Sequence, residues 1–282
     1  MKKILILFLM TISLIGTVSC DDILTDNEKP IVAVSIIPQA AFVKAIAGDK
    51  VEVITIIPPG FSPGNYEPSA RTMEEMSHAS VYFTIGVPTE AGNILPDIED
   101  IEVVHLETLV AETYPDLTFT EGRDPHIWLS IKRVKLMVEI IADKLAEIDP
   151  ENASLYQINA NIFIAELNGT NAEIEEIFSD VTMNKFIVFH PAFAYLADEF
   201  GLEMIALEED GKEATAAHLQ EVIDLATLYE IGYVFHQAEI DASQVQSFAE
   251  EINAEVVTLY PLSEDYCANL ITMAELIREA LG

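Results

Sequence analysis

Two of the chain's six histidines stand where an imidazole could hold a metal ion. His126 lies in the loop Asp124-Pro125-His126-Ile127-Trp128. His190 directly follows the strand-like run Phe186 to Phe189 and precedes Pro191. Neutral imidazole is a common ligand of transition metals, and a carboxylate such as Asp124, or a backbone carbonyl, can fix which ring nitrogen faces the ion. On position alone either histidine could also be structural. The other four have weaker cases: His78 and His218 fall on polar helical surfaces, His105 lies in a strand, and His236 follows a strand end on the ligand side of a sheet. Enzyme signatures are missing: there is no Gly-rich phosphate loop, no G-x-S-x-G elbow and no H-E-x-x-H pair. Open metal positions could in principle activate water, but no motif places a general base, so the chain is read as a non-enzyme.

The elements that would position these residues alternate between strand and helix. Ile31 to Ile37, closed by Pro38, is followed by a short helix over Gln39 to Ala47. Strands Val51 to Ile57, Val81 to Ile85 and Val103 to Leu106 follow, with a helix over Ala70 to Met76. Ser130 to Ile148 carries a helical stripe of Ile131, Val134, Val138, Ile141 and Leu145, capped by Ser130 and stopped by Asp149-Pro150. Glu151 to Asp180 reads as one helix of about 45 Å at 1.5 Å per residue, a length that suits a strut between lobes. Strands then recur at Phe186–Phe189, Met204–Leu207, Tyr233–Phe235 and Val256–Leu259, with helices between them and a final helix over Glu264 to Leu281. The expected fold is α/β: two lobes, each a roughly four-stranded parallel sheet flanked by helices, joined by one long helix. The expected divisions are an N-terminal lobe over 31–150, the linking helix over 151–181 and a C-terminal lobe over 182–282.

Charge and the chain start bound where such a protein works. Fourteen Lys and Arg face 48 Asp and Glu, a net of −34. This excludes nucleic acid as a partner and favours solubility, with some gathering of cations by the summed field. Lys2 and Lys3 precede the apolar run Ile4 to Val18, which has the pattern of a secretory signal and is too short for a comfortable membrane span. Residues 1–20 are therefore expected to be a signal. Thr17-Val18-Ser19-Cys20 resembles a lipobox, which would make Cys20 the lipid-bearing residue, with 21–30 as a polar tether. The other cysteine, Cys267, sits in an apolar helical pattern and is expected in the core.

Several stretches, taken together and in order, resemble the zinc- and manganese-type solute-binding proteins of ABC importers, the cluster A-I or TroA-like family. They include Ser35-Ile36-Ile37-Pro38, Pro58-Pro59-Gly60-Phe61-Ser62-Pro63 with Tyr66-Glu67-Pro68, Asp124-Pro125-His126-Ile127-Trp128-Leu129, His190-Pro191-Ala192-Phe193 and Pro261-Leu262. The resemblance runs from Ile31 to Gly282. It implies two lobes around a rigid long helix, a metal ion in the cleft, capture outside the cytoplasmic membrane and delivery to a membrane permease by a lipid-anchored monomer.

In the resemblance His126 and His190 match two ligand positions, and two further positions depart. The first family histidine falls at Gly64, followed by Asn65, and the aspartate before Pro-Leu falls at Tyr260. Three readings stay open. His126 and His190 could hold zinc or manganese with help from water, Asn65 or a nearby carboxylate. Tyr260 could ligate as a phenolate, shifting preference toward ferric iron. Or the lobes could have lost metal and serve another solute or surface adhesion.

Overall fold

The computed structural model describes residues 29–98, 100–120, 122–209, 211–241 and 243–282. The expected signal, Cys20 and all but the end of the tether lie outside these residues. The first lobe contains β1 (Ile31–Val34), α1 (Ile37–Ala47), β2 (Glu52–Thr55), α2 (Ala70–Met76), β3 (Val81–Thr84), β4 (Glu102–His105), α3 (Leu106–Ala111) and the short hairpin β5 (Thr118–Phe119) and β6 (Gly122–Arg123). Then come α4 (Ile131–Ile148) and α5 (Ala153–Ile177). The second lobe contains β7 (Lys185–Val188), α6 (Ala194–Phe200), β8 (Glu203–Ala206), α7 (Ala216–Leu228), β9 (Tyr233–Gln237), α8 (Ser243–Ile252), β10 (Glu255–Leu259) and α9 (Tyr266–Leu281).

Both four-stranded sheets are parallel, in the orders β2-β1-β3-β4 and β10-β9-β7-β8. The two orders are one topology used twice. In each, the first strand of the lobe lies beside its second and third, so the chain reverses direction across the sheet at that point. Ligands of open parallel sheets bind at such switch points, beyond the carboxyl ends of the strands. Strand β3 is buried along its whole length, as parallel strands covered on both faces must be.

Two expected boundaries differ for clear local reasons. The first strand ends at Val34 rather than Ile37, and Pro38 sits inside the first turn of α1. Proline is tolerated there because its missing N–H would have had no helical partner. The Gln39 side-chain oxygen Oε1 accepts the N–H groups of Ser35 and Ile36, at 3.0 and 3.1 Å. The long helix begins after a 3-10 turn over Pro150–Asn152 and has 25 residues, about 37 Å at 1.5 Å per residue.

Helix α5 packs against α1 and α4 on one side and α9 on the other, so both lobes rest on it. Its buried residues Tyr156, Ala160, Phe163, Leu167, Thr170 and Ile174 recur at three- and four-residue steps, the spacing of one helical face. Direct bonds also cross between the lobes. The Trp128 indole donates to the Pro261 carbonyl at 3.0 Å, and the Tyr266 hydroxyl donates to the Trp128 carbonyl at 2.6 Å. Glu199 of α6 accepts the Lys132 N–H at 2.9 Å and the Ser130 hydroxyl at 2.5 Å. A carboxylate from the second lobe thus sits on the positive end of α4. Burial of Trp128 and Tyr266 makes their bonds costly to break, since each would leave a polar group unpaired away from water.

Candidate metal centre

His126 stands at the start of a 3-10 turn over Ile127–Leu129, at the edge of the first lobe. Its Nδ1 lies 2.7 Å from Asp124 Oδ1, and the same oxygen accepts its backbone N–H at 2.9 Å. An ionised carboxylate can only accept, so Nδ1 carries the proton and Nε2 keeps its lone pair. Asp124 is itself fixed: it is buried, and its carbonyl accepts the Tyr195 hydroxyl at 3.1 Å. Burial holds the His126 imidazole below its usual pKa, with Asp124 opposing that shift. The ring is therefore neutral at pH 7, the form that ligates.

His190 follows the end of β7, at the switch point between β7 and β9. Its Nδ1 lies 2.6 Å from Glu208 Oε2, just beyond the end of β8. The Glu208 N–H bonds the Phe189 carbonyl at 2.9 Å, so the carboxylate is anchored to the strand end that carries the histidine. Gly211 passes beside the ring at φ +73, and a Cβ there would lie 3.1 Å from His190 Cε1. A side chain at 211 would be strained and would crowd the imidazole.

The two rings meet across the cleft with centroids 5.3 Å apart and planes at 76°. A metal–nitrogen bond of about 2.0–2.1 Å plus a ring radius of roughly 1.2 Å puts each centroid about 3.2 Å from a shared ion. At a tetrahedral angle two such centroids stand about 5.2 Å apart, which fits the observed spacing. Each ring has a carboxylate on Nδ1, the arrangement that orients histidine toward a metal and raises its basicity. Among the described residues no group of three or more His, Cys, Asp and Glu side chains is already gathered to hold an ion.

The histidines line a cavity of about 350 Å³ together with Gly64, Arg123, Trp128 and Gln237. A wider cavity of about 490 Å³ adjoins it and shares His190 and Gly64, with Asn65, Glu208, Glu239 and Asp241 also on its wall. Gly64 has room: a Cβ there meets only Ser62 Oγ, at 3.5 Å.

Tyr260 directly follows the end of β10. Its side chain is 56 % exposed, and the cavity wall is formed by the following Pro261 and Leu262. The remaining histidines are committed elsewhere. His78 is exposed. His105 lies beside Thr84 and Glu107. His218 is half-buried rather than on a polar surface, with Nε2 2.9 Å from the Ala206 carbonyl. His236 lies within β9 rather than beyond it, 2.8 Å from the Thr258 hydroxyl. The structure adds Glu208 and Glu239, which sequence reasoning had not singled out. Glu208 could have been noticed as an acidic residue just past a strand end, but carboxylates are too frequent in this chain for that to stand out.

The family model described as ZnuA, the periplasmic component A of a zinc-uptake complex, matches residues 32–280. A crystal structure of ZnuA superposes with a TM-score of 0.83 at 33% identity, covering 90% of this chain and 100% of that one. The manganese-binding lipoprotein MntA of Halalkalibacterium halodurans is 27% identical over 221 residues, 75% of this chain and 72% of that protein. The laminin-binding protein Lmb of Streptococcus agalactiae, described as both adhesin and metal transporter, shares the fold with a TM-score of 0.80 at 22% identity, over 90% of this chain and 100% of that one.

Proposed function

We propose, from the premise that the chain belongs to the ZnuA family of periplasmic zinc-uptake components, that it captures a transition-metal ion in its interlobe cleft and delivers it to the permease of an ABC importer. The observation that carries this reading is the pair of imidazoles 5.3 Å apart, each held through Nδ1 by its own carboxylate. His126 and His190 are the protein ligands in this proposal, one from each lobe. Zinc or manganese is the cargo, in line with the relatives named above. Ferric iron drops behind, because Tyr260, whose phenol would favour it, is exposed and lines neither of the two cavities.

The working cycle needs no covalent step. The ion enters from the wider cavity, displaces water from Nε2 of both rings, and draws the lobes together by a small amount. The interlobe bonds at Trp128 and Glu199 and the shared helix α5 favour slight closure over a wide hinge. In this reading the chain is exported by residues 1–20 and held by lipid on Cys20, with 21–30 as tether. It acts as a monomer on the outer face of the cytoplasmic membrane. Residues 31–150 and 182–282 are then the two bodies that the helix at 151–181 keeps in register.

His126→Ala and His190→Ala should each abolish tight zinc and manganese binding in a chelator-competition titration, with unchanged circular dichroism. A variant that binds as tightly as the parent removes that residue from the site. Elemental analysis of the purified protein separates metal capture from a purely adhesive role, which would need no ion.

A further inference from the structure

Two imidazoles supply only part of what zinc or manganese requires. Zinc sites in proteins use three or four protein ligands, and manganese prefers to add oxygen. The further ligand must come from the walls already described. The wider cavity offers three carboxylates, and two of them are committed. Glu208 is held by His190 Nδ1. Asp241 is exposed and accepts the Ser243 N–H at 2.8 Å, ahead of α8. Glu239 is different: its Oε2 is buried with no hydrogen-bond partner. Burial pushes its carboxyl above the usual range, opposed only by a hydrogen bond from its own backbone N–H. A buried anionic oxygen without a donor is costly, and a bound cation would relieve that cost.

Topology puts this carboxylate on the right edge. Strands β7 and β9 are neighbours in parallel, with Val188 opposite Phe235. His190 leaves the carboxyl end of β7 two residues after Val188, and Glu239 leaves the same edge four residues after Phe235. Both line one cavity at the switch point of the second sheet. We infer that Glu239 is the third protein ligand, its carboxylate swinging onto the ion held by His126 and His190. This rests on the metal-capture reading and names the residue that completes the site. Asn65, on the same wall, offers only a neutral amide oxygen, a weaker donor to a divalent ion.

The test is a chelator-competition titration of the purified protein with zinc and with manganese, for the parent, Glu239→Gln, Glu239→Asp and Glu250→Gln. Glu250 is exposed on α8 and controls for the loss of one negative charge. Glu239→Gln should weaken both metals by at least ~10-fold, Glu239→Asp should weaken them less, and Glu250→Gln should leave them within about twofold. Cobalt-loaded parent and Glu239→Gln should also differ in visible absorption, because the ligand set differs. A parent that binds while Glu239→Gln binds equally, with an identical cobalt spectrum, overturns the assignment and leaves metal capture standing. Equal weakening in Glu239→Gln and Glu250→Gln also overturns it, as an effect of overall charge. A parent that binds neither metal removes the capture reading itself.

Discussion

At the scale of single residues, the site is defined as much by a missing side chain as by those present. Gly64 lines both cavities, adopts no positive φ, and a Cβ there would make only an ordinary contact with Ser62 Oγ. Gly64→His should therefore place a third imidazole beside His126 and His190 without backbone strain. Zinc affinity should rise by on the order of 10-fold or more, read in a competition titration against the parent. An unchanged affinity would show that the loop holds position 64 too far from the ion. The two histidines themselves were legible in the sequence, because each sits at a loop or strand end beside a proline in a stretch with a strong family resemblance. Their carboxylate partners were legible only in part. Asp124 is two residues from His126, whereas Glu208 reaches His190 across a separation of 18 residues that only the β7–β8 pairing closes. Glu239 carried no mark in the sequence at all: what singles it out among the carboxylates of the wider cavity is the burial of one oxygen without a partner.

At the scale of elements, helix α5 carries a fault that can be repaired. Gly169 lies in its interior, exposed, and a Cβ there would touch nothing within 4 Å. Gly169→Ala should stabilise the protein by ~1 kcal/mol, since alanine loses less backbone entropy in a helix. A thermal melt that does not rise would mean the helix is not part of the cooperative unit. The eight strands of the two sheets and the large helices were readable from β-branched runs and apolar periodicity, with boundaries off by one to three residues. The largest strand difference has an identifiable cause: Pro38 read as a stop after the first strand, while it in fact occupies the first turn of α1. What went unread was short. Helix α3 has six residues and the hairpin strands have two each. A six-residue helix shows less than two turns of periodicity, and a two-residue strand shows no alternation. The hairpin also carries the Arg123–Asp116 ion pair at 2.8 Å, which a hydrophobic pattern does not report.

At the scale of the whole molecule, two sheets of one topology face each other and present the same kind of edge to a common cleft. That arrangement sets an imidazole from each body, His126 and His190, face to face across the cleft, so in the proposed capture occupancy of the cleft and the relative position of the lobes are linked. The sequence contains a single tryptophan, and it is Trp128. Its ring centroid is 5.2 Å from that of His126, and its indole N–H is bonded to the far lobe at Pro261. The chain therefore carries one indole fluorophore, placed beside His126 and where the halves touch. Zinc, which cannot quench by unpaired electrons, should shift or brighten its emission in the parent and leave the His126→Ala variant dark to the addition. Manganese, with unpaired spins a few ångströms from the indole, should dim it. The colour and sign of one optical signal would then tell which ion has arrived, with no label attached.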